Sequence, residues 1–368
     1  MNTTILSNEL HTAFSLASHF TLSRTSTVPA LAGGHIKITK GFLEVTTTNL
    51  NDFFFTKIPT KGTVEGEGVC DIRKVVEFLG FLKPTEIQLE LSGKALTIIS
   101  EKTHGVFPIF QSSDFPKPPT VEGEGVSLTE ALVKKLPLVL FSASKDTARP
   151  VLTGINLTDK NGKFYMSATD GFRLSLITDE IKKEMGTATI SAPVLEEVLR
   201  LNGEKPLSFS LSQEEKMVKF VVGEVVIFTR LLEGEFPPFD RVIPQEYKTR
   251  VIVSREEFLR NIKLVSVFSR DISNTVVFEL KKEGMTIRPR GEEEGSSVVF
   301  QPLQKFEGEE GKIAFNYRFV LDFLNNAQSE FIAMEITSPT APGVFKVGGD
   351  ESFLHIIMPI RTDEAANS

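Results

Sequence analysis

The chain has 368 residues, 24% of them charged and 40% hydrophobic, a mix that excludes wholesale disorder. Its length allows roughly two or three domains, with cores large enough to need no metal or disulfide staple. The formal charge of −7 is opposite in sign to that of a simple basic nucleic-acid binder. The single cysteine, Cys70, excludes an internal disulfide and fits a reducing cytoplasm. No apolar run approaches the roughly 18 residues of a membrane span, and the opening MNTTILSNEL lacks the basic and apolar regions of a secretory signal. Phe supplies 30 residues against 3 Tyr and no Trp, a bias toward core building without polar handles.

In chain order, the first predicted helix follows Ser7 and runs toward Phe20. Equivalent segments follow Ser127 toward Phe141 and Ser254 toward Phe268, each Ser being a candidate N-cap. Short alternating runs come next, as in His35-Ile-Lys-Ile-Thr, Phe42-Leu-Glu-Val-Thr and Val276-Val-Phe-Glu-Leu, and read as antiparallel strands with one buried face. Lys160-Asn-Gly-Lys and Lys281-Lys-Glu-Gly read as hairpin turns. A second helix recurs at Val75-Val-Glu-Phe-Leu, Val194-Leu-Glu-Glu-Val-Leu and Val320-Leu-Asp-Phe-Leu.

These recurrences define an internal repeat. Leu31 and Leu152, Gly33 and Gly154, Gly41 and Gly162, and Thr48 and Thr169 all stand 121 positions apart. Asp114-Phe-Pro and Glu235-Phe-Pro keep the same offset. Each repeat is an α+β unit of two helices and several strands. The expected domains are 1–120, 121–246 and 247–368, with short linkers at Thr120-Val-Glu-Gly-Glu-Gly and Gln245-Glu-Tyr-Lys-Thr.

Catalytic signatures are missing from the sequence. The five histidines, His11, His19, His35, His104 and His355, have no metal-ligand spacing, and one cysteine cannot anchor a zinc site. The glycines of Glu65-Gly-Glu-Gly and Glu122-Gly-Glu-Gly lie among acids that repel phosphate. No Gly-x-Ser-x-Gly elbow occurs. Glu307, Glu309 and Glu310 read as a solvated acidic turn, and Asp170, ahead of Gly171, as a turn residue rather than a catalytic acid working with Asp159.

Five segments depart from the plain repeat. They are Arg149-Pro-Val-Leu-Thr-Gly-Ile, Ala168-Thr-Asp-Gly-Phe-Arg-Leu, Glu235-Phe-Pro-Pro-Phe-Asp-Arg-Val-Ile-Pro, Phe315-Asn-Tyr-Arg-Phe-Val-Leu-Asp-Phe-Leu and Ile356-Ile-Met-Pro-Ile-Arg. In this order the chain resembles the bacterial β sliding clamp family, the processivity subunit of DNA polymerase III, over essentially its whole length. The resemblance implies a head-to-tail homodimer of three-domain protomers, in which six units close a ring around duplex DNA. It implies helices lining the hole, sheets outside, and neither enzyme activity nor any cofactor or metal. An acidic total charge suits a ring that holds DNA topologically and slides.

The resemblance carries residue roles with it. Weak DNA contacts fall on Arg24, Arg73, Lys74, Lys134 and Lys145, with Arg24 in the matching loop Ser23-Arg-Thr-Ser-Thr-Val-Pro-Ala-Leu. The basic residues common in the family before the second helix of unit two are absent from Ile190-Ser-Ala-Pro-Val. A partner-peptide pocket falls on Leu152, Thr169, Gly171, Phe172, Arg173, Leu174, Pro237, Arg241, Val242, Asn316, Phe319, Ile356, Met358, Pro359, Ile360 and Arg361. Its apolar members make a slot, Met358 adapts to varied partners, and Arg173, Arg241 and Asn316 are expected to fix a peptide backbone or carboxylate. Phe172 replaces the usual His or Tyr, which predicts a drier pocket. The implied partners are the replicative polymerase α subunit, the clamp loader and repair polymerases, and Phe107 is expected to meet Val267 and Phe268 of the other protomer. The tail Thr362-Asp-Glu-Ala-Ala-Asn-Ser runs past the usual family terminus, with two expectations left open, disorder or a place near the pocket. An alternative expectation is a divergent clamp-fold paralogue with a specialised or regulatory role.

Overall fold

The computed structural model describes residues 3–22, 29–62, 65–111, 113, 115–121, 125–160, 162–180, 186–203, 205–270, 274–291 and 298–361. Arg24 and the tail 362–368 lie outside them. The helices are α1 (Ser7–Ser18), α2 (Ile72–Gly80), α3 (Glu130–Lys135), α4 (Pro137–Leu140), α5 (Ala192–Asn202), α6 (Arg255–Ser269) and α7 (Tyr317–Asn326). They fall at the predicted places, with one break. The helix expected after Ser127 is split into α3 and α4 at Pro137, which has no N–H to donate and whose ring clashes with the preceding turn.

The serine caps are a second departure. Ser7 is the first residue of α1, and its hydroxyl donates to the Lys83 carbonyl at 3.3 Å while accepting from the Thr85 N–H at 3.1 Å. Ser127 belongs to a short strand, and Thr129 caps α3 instead, accepting from the Leu132 N–H at 3.2 Å. Ser254 stands ahead of α6 without a capping bond. Besides Thr129, working caps sit on two of the second helices: Asp71 on α2, accepting from the Lys74 N–H, and Asn316 on α7, accepting from the Arg318 N–H.

Contacts divide the chain into two compact bodies, Met1–Leu128 with Val194–Leu231, and Thr129–Pro193 with Leu232–Ser368. The second repeat thus contributes to both. The first body holds a 13-stranded antiparallel sheet, in which the second-repeat strand Val225–Arg230 pairs with the first-repeat strand Asp52–Pro59, Ile227 opposite Phe54. Helices α1 and α2 pack together on it, burying Leu10, Phe14, Val75 and Leu79.

The second body holds a nine-stranded sheet. From edge to edge its strands are Ala188–Ser191, Gly154–Lys160, Lys163–Thr169, Arg173–Asp179, Phe353–Ile357, Gly343–Val347, Phe331–Ile336, Thr249–Ser254 and Lys305–Gly308. A four-stranded sheet accompanies it, ordered Val299–Gln301, Gly284–Pro289, Thr275–Lys281 and Gly311–Asn316. The phenylalanine bias has a direct use here. Phe258, Phe278, Phe315, Phe345, Phe323 and Phe353 follow one another through the core with ring centroids 5.5–6.3 Å apart.

The repeat is legible down to single hydrogen bonds. The Thr48 hydroxyl donates to the Asp52 carbonyl and accepts from the Leu50 N–H. The Thr169 hydroxyl donates to the Arg173 carbonyl and accepts from the Gly171 N–H. Asn49 Oδ1 accepts from the N–H groups of Asn51 and Asp52, as Asp170 Oδ1 does from those of Phe172 and Arg173. Both turns need one left-handed residue, which is Leu50 at φ 78° in the first and Gly171 at φ 92° in the second. Asp170 is therefore a turn-former, which accounts for its place beside Gly171.

Two of the repeated glycines have different reasons. A Cβ on Gly154 would stand 2.6 Å from the Ile190 carbonyl oxygen, whereas Gly162, at φ 74°, has open space around it. Gly162→Ala should therefore cost only the left-handed penalty of about 1–2 kcal/mol, and Gly154→Ala clearly more, as read by thermal unfolding of the two variants beside the parent. Cys70 is buried, and desolvation pushes its thiol up to about 12. A thiol-specific disulfide reagent at pH 8 should leave the native protein untouched and modify it fully in denaturant; rapid reaction of the native state would show that the strand Gly66–Cys70 opens readily.

Candidate functional site

The site grows from one strand pair. Arg173–Asp179 runs antiparallel to Phe353–Ile357, with Leu174 opposite Ile356, Ser175 opposite His355 and Leu176 opposite Leu354. Period-2 alternation gives this pair two characters. On one face Leu174, Leu176 and Ile356 join Val344 and Phe239 in a buried cluster, with Tyr165, Ile243 and Leu354 packed at its margin. The other face carries Arg173, Ser175 and His355 toward α7 and the end of α4.

This apolar cluster lies where the resemblance expects the floor of a slot. Phe239 reaches it from the turn Phe239–Arg241 that follows Pro237-Pro-Phe, and the same turn holds Arg241 and Val242 exposed. Beyond the strand ends Phe172 and Met358 stay 64% and 40% exposed, and the Met358 N–H donates to the Phe172 carbonyl at 2.9 Å. The Ile360 N–H donates to the Ala314 carbonyl at 2.8 Å, which leads Pro359, Ile360 and Arg361 past the strand that ends in Asn316. Leu152 and Pro237 do not enter the floor cluster: Leu152 is buried in the turn Pro150–Thr153, and Pro237 is exposed in its loop.

Arg173 departs from its expected role. It is only 8% exposed, with Nε donating to Asp170 Oδ2 at 3.0 Å and Nη1 to Asp322 Oδ2 at 2.6 Å. Its guanidinium lies 4.8 Å from the Phe319 ring centroid and 5.5 Å from that of Phe141. Phe319 stacks in turn on Phe172 at 6.4 Å. A buried cation needs paired charge and hydrogen bonds, and this one has both. Arg173 thus braces the aromatic wall of the slot, and its fork is already engaged by two carboxylates. Asn316 likewise gives its side-chain oxygen to the α7 cap. Arg241 and Arg361 are the exposed cations of the expected set, without an ion-pair partner among the described residues.

The strands behind the slot hold one further polar group. His355 is fully buried, its Nδ1 2.8 Å from Ser175 Oγ, which lies 2.7 Å from Ser142 Oγ. Its ring is parallel to Phe323 at 5.4 Å and lies 5.0 Å from Phe141. Burial holds this imidazole well below its ordinary value, and the Arg173 charge pushes the same way. Sequence reading missed Asp322, His355, Ser175 and Phe141 at the site. Asp322 stands three residues after Phe319 on one helix, and that spacing was the available signal.

The candidate DNA contacts are unequal. Arg73 donates to Thr21 Oγ1 at 2.6 Å, and Lys134 pairs with Glu130 at 2.6 Å. Lys74 and Lys145 are exposed and unpaired among the described residues. At the candidate dimer surfaces, Val267 and Phe268 are exposed on α6 together with Leu264, and a shallow apolar groove runs past Leu259, Leu264 and Val267. Phe107, in contrast, is buried edge-on against Phe78 at 5.6 Å, whereas Val106 and Phe110 of its strand are exposed.

Repeated α+β units, each with helices packed on antiparallel sheet, define a clamp-type chain. Comparison with known proteins agrees. The model of the DNA polymerase III beta subunit central domain matches residues 128–238, and that of its C-terminal domain matches 240–361. The beta sliding clamp of Bacillus subtilis is 27% identical over 357 residues, covering 93% of this chain and 94% of that protein. That of Chlamydia pneumoniae is 29% identical over 343 residues, covering 91% and 92%. Among solved structures, the Thermotoga maritima DNA polymerase III beta subunit superposes with a TM-score of 0.89 at 27% identity, over 98% of this chain and 99% of that one. The Bacillus subtilis DNA polymerase sliding clamp gives 0.90 at 25%, with the same coverage. The chain belongs to the bacterial beta sliding clamp family, the beta subunits of DNA polymerase III.

The Arg173 brace makes a graded prediction. Asp170 is 16% exposed and also ties two backbone N–H groups, whereas Asp322 is 46% exposed. Asp170→Ala should cost about 2–3 kcal/mol, and Asp322→Ala, screened by solvent, about 1 kcal/mol. Denaturant unfolding followed at the second body ranks them; equal costs would refute the brace.

Proposed function

We propose that the chain is a DNA sliding clamp, a ring-shaped processivity factor that encircles duplex DNA in the cytoplasm and does no chemistry itself. Two protomers of three clamp domains, 1–120, 121–246 and 247–368, close head to tail, and the exposed Leu264, Val267 and Phe268 of α6 support a protomer contact there. The acidic charge of −7 suits a ring that slides, with Lys74 and Lys145 as its weak phosphate contacts.

The observation that carries the reading is the buried apolar cluster of Leu174, Ile356 and Phe239 with Phe172, Val242 and Met358 exposed beside it, which we read as a slot and its rim. A groove with an apolar floor and a cationic rim takes a short linear peptide whose apolar side chains anchor it. The replicative polymerase α subunit, the clamp loader and repair polymerases would each dock such a segment and exchange over it. Arg241 and Arg361 would then meet the peptide's backbone or its acids.

A fluorescent Gln-Leu-Ser-Leu-Phe peptide tests this. It should bind with a Kd near 1 μM, about −8 kcal/mol, and a folded Leu174→Ala, Met358→Ala double variant should lose most of that affinity. In parallel, the protein loaded by a clamp loader should stay on nicked circular DNA and leave it once the circle is cut. Peptide binding without retention on the circle would favour the specialised paralogue; neither behaviour, from a folded protein, would refute the clamp reading.

A further inference from the structure

The floor of the slot is a cross-strand pair, Leu174 opposite Ile356, and the next pair along the same two strands is Ser175 opposite His355. The first pair faces the slot. The second faces the other way, so the imidazole lies directly behind the slot floor. It is sealed there: Phe141 closes one side, Phe323 of α7 stacks flat on it, and Phe345 stands 6.4 Å away. The Nδ1–Ser175 contact of 2.8 Å is therefore a side-chain tie across two strands whose opposite faces form the slot. Ser142, at the end of α4, continues that tie.

We infer that His355 is a positioning residue for the peptide slot, setting the spacing of the two strands through Ser175 and the stance of α7 through Phe323. The inference rests on the peptide reading of that slot and deepens it. The wiring is short. Met358, three residues on, closes the strand pair by its bond to Phe172, and Phe172 stacks on Phe319, one turn before Phe323 on the same helix. An imidazole filling this space holds both connections at once. An aliphatic side chain would fill it without the tie.

Burial favours a neutral ring. His355 Nε2 is buried with no hydrogen-bond partner, and the Leu174 backbone is, among the described residues, the one neighbour that favours the charged ring. The charged group acting on the ring is Arg173 of the same strand face, itself held by Asp170 and by Asp322 of α7. Phe141 and Ser142 at the α4 end, Phe323 of α7 and Phe345 of the neighbouring strand offer no compensating charge. The unfolded chain takes up this proton near pH 6.5 and the folded protein only well below it. The contribution to stability is therefore complete above pH 6.5 and is lost progressively as pH falls below that value.

The experiment compares the full-length parent with His355→Leu, His355→Asn and Ser175→Ala. Asn sets an amide near the place of Nδ1 and does not titrate. The His355→Leu protein should bind the Gln-Leu-Ser-Leu-Phe peptide about tenfold more weakly, His355→Asn should recover most of that loss, and Ser175→Ala should not add to His355→Leu in the double variant. Hydrogen exchange gives a readout independent of the peptide: the Met358 amide should exchange about tenfold faster in His355→Leu, with the Ile332 amide unchanged. The fall in parent Tm below pH 6.5 should be smaller in His355→Asn. Unchanged Met358 exchange in His355→Leu, or additivity with Ser175→Ala, would overturn the inference. If the parent itself fails to bind the peptide, the slot reading falls, and the exchange and pH arms still decide whether His355 positions this strand pair.

Discussion

Everything at the site depends on one antiparallel pairing, Arg173–Asp179 against Phe353–Ile357. These strands are far apart in sequence and belong to different repeats. Loop-closure entropy opposes such a pairing, and apolar burial must outweigh it. Leu174, Leu176, Phe239, Val344 and Ile356 supply that burial at about 1.5–3 kcal/mol per fully buried side chain. The pairing then fixes the rest by parity. Alternate residues build the slot floor, and the residues between them build the polar and aromatic layer behind it. A slip of one position would exchange the two faces and bury Arg173 in the floor.

The same solution joins the first and second repeats, where Val225–Arg230 adds to Asp52–Pro59. A repeat that lends a strand to its neighbour leaves no open edge at the junction, and an open edge is what invites aggregation. The two junctions nevertheless carry different side chains. At the first, Ile227 and Phe54 are both buried and the pair is plain core. At the second, Phe172 and Met358 continue beyond the paired residues and stay exposed. The two junctions therefore differ in what the strands carry past their ends, and the proposed slot rests on that difference.

Much of this was legible in the sequence because it is local or periodic. The 121-residue offset predicted equivalent turns, and Thr48 and Thr169 make the same hydrogen bonds. Asp170 was legible as a turn residue, and Gly41 and Gly162 both adopt the positive φ that hairpins need. The expected slot residues rest on family resemblance. Their sequence spacing could not show that Leu174 and Ile356 lie opposite one another. The misses have common causes. Ser7 looks like a cap, but tertiary partners at Lys83 and Thr85 take its hydroxyl. Arg173 looks like a ligand contact because an arginine at a pocket usually is one. Its second carboxylate, Asp322, lies on a helix of another repeat, and its spacing from Phe319 shows only a shared helix face, not the pairing with Arg173.

The buried polar groups behind the slot make one argument about specificity. An all-apolar layer would pack there at lower desolvation cost, since buried ion pairs seldom outperform hydrophobic replacements of equal volume. What Arg173 and His355 add is direction. Arg173 accepts only an arrangement that brings Asp170, Asp322, Phe141 and Phe319 to it together. His355 accepts only the register that sets Ser175 opposite. Leucines in their places would tolerate a shifted helix or a spread strand pair. On the proposed reading, a slot that presents one shape to a series of exchanging peptides would tolerate neither, because affinity near the micromolar level would leave only about 8 kcal/mol in all. Each rearrangement would be subtracted from that total, so a rigid layer under an exposed, adaptable rim of Met358 and Phe172 is the arrangement that lets binding stay both weak and selective.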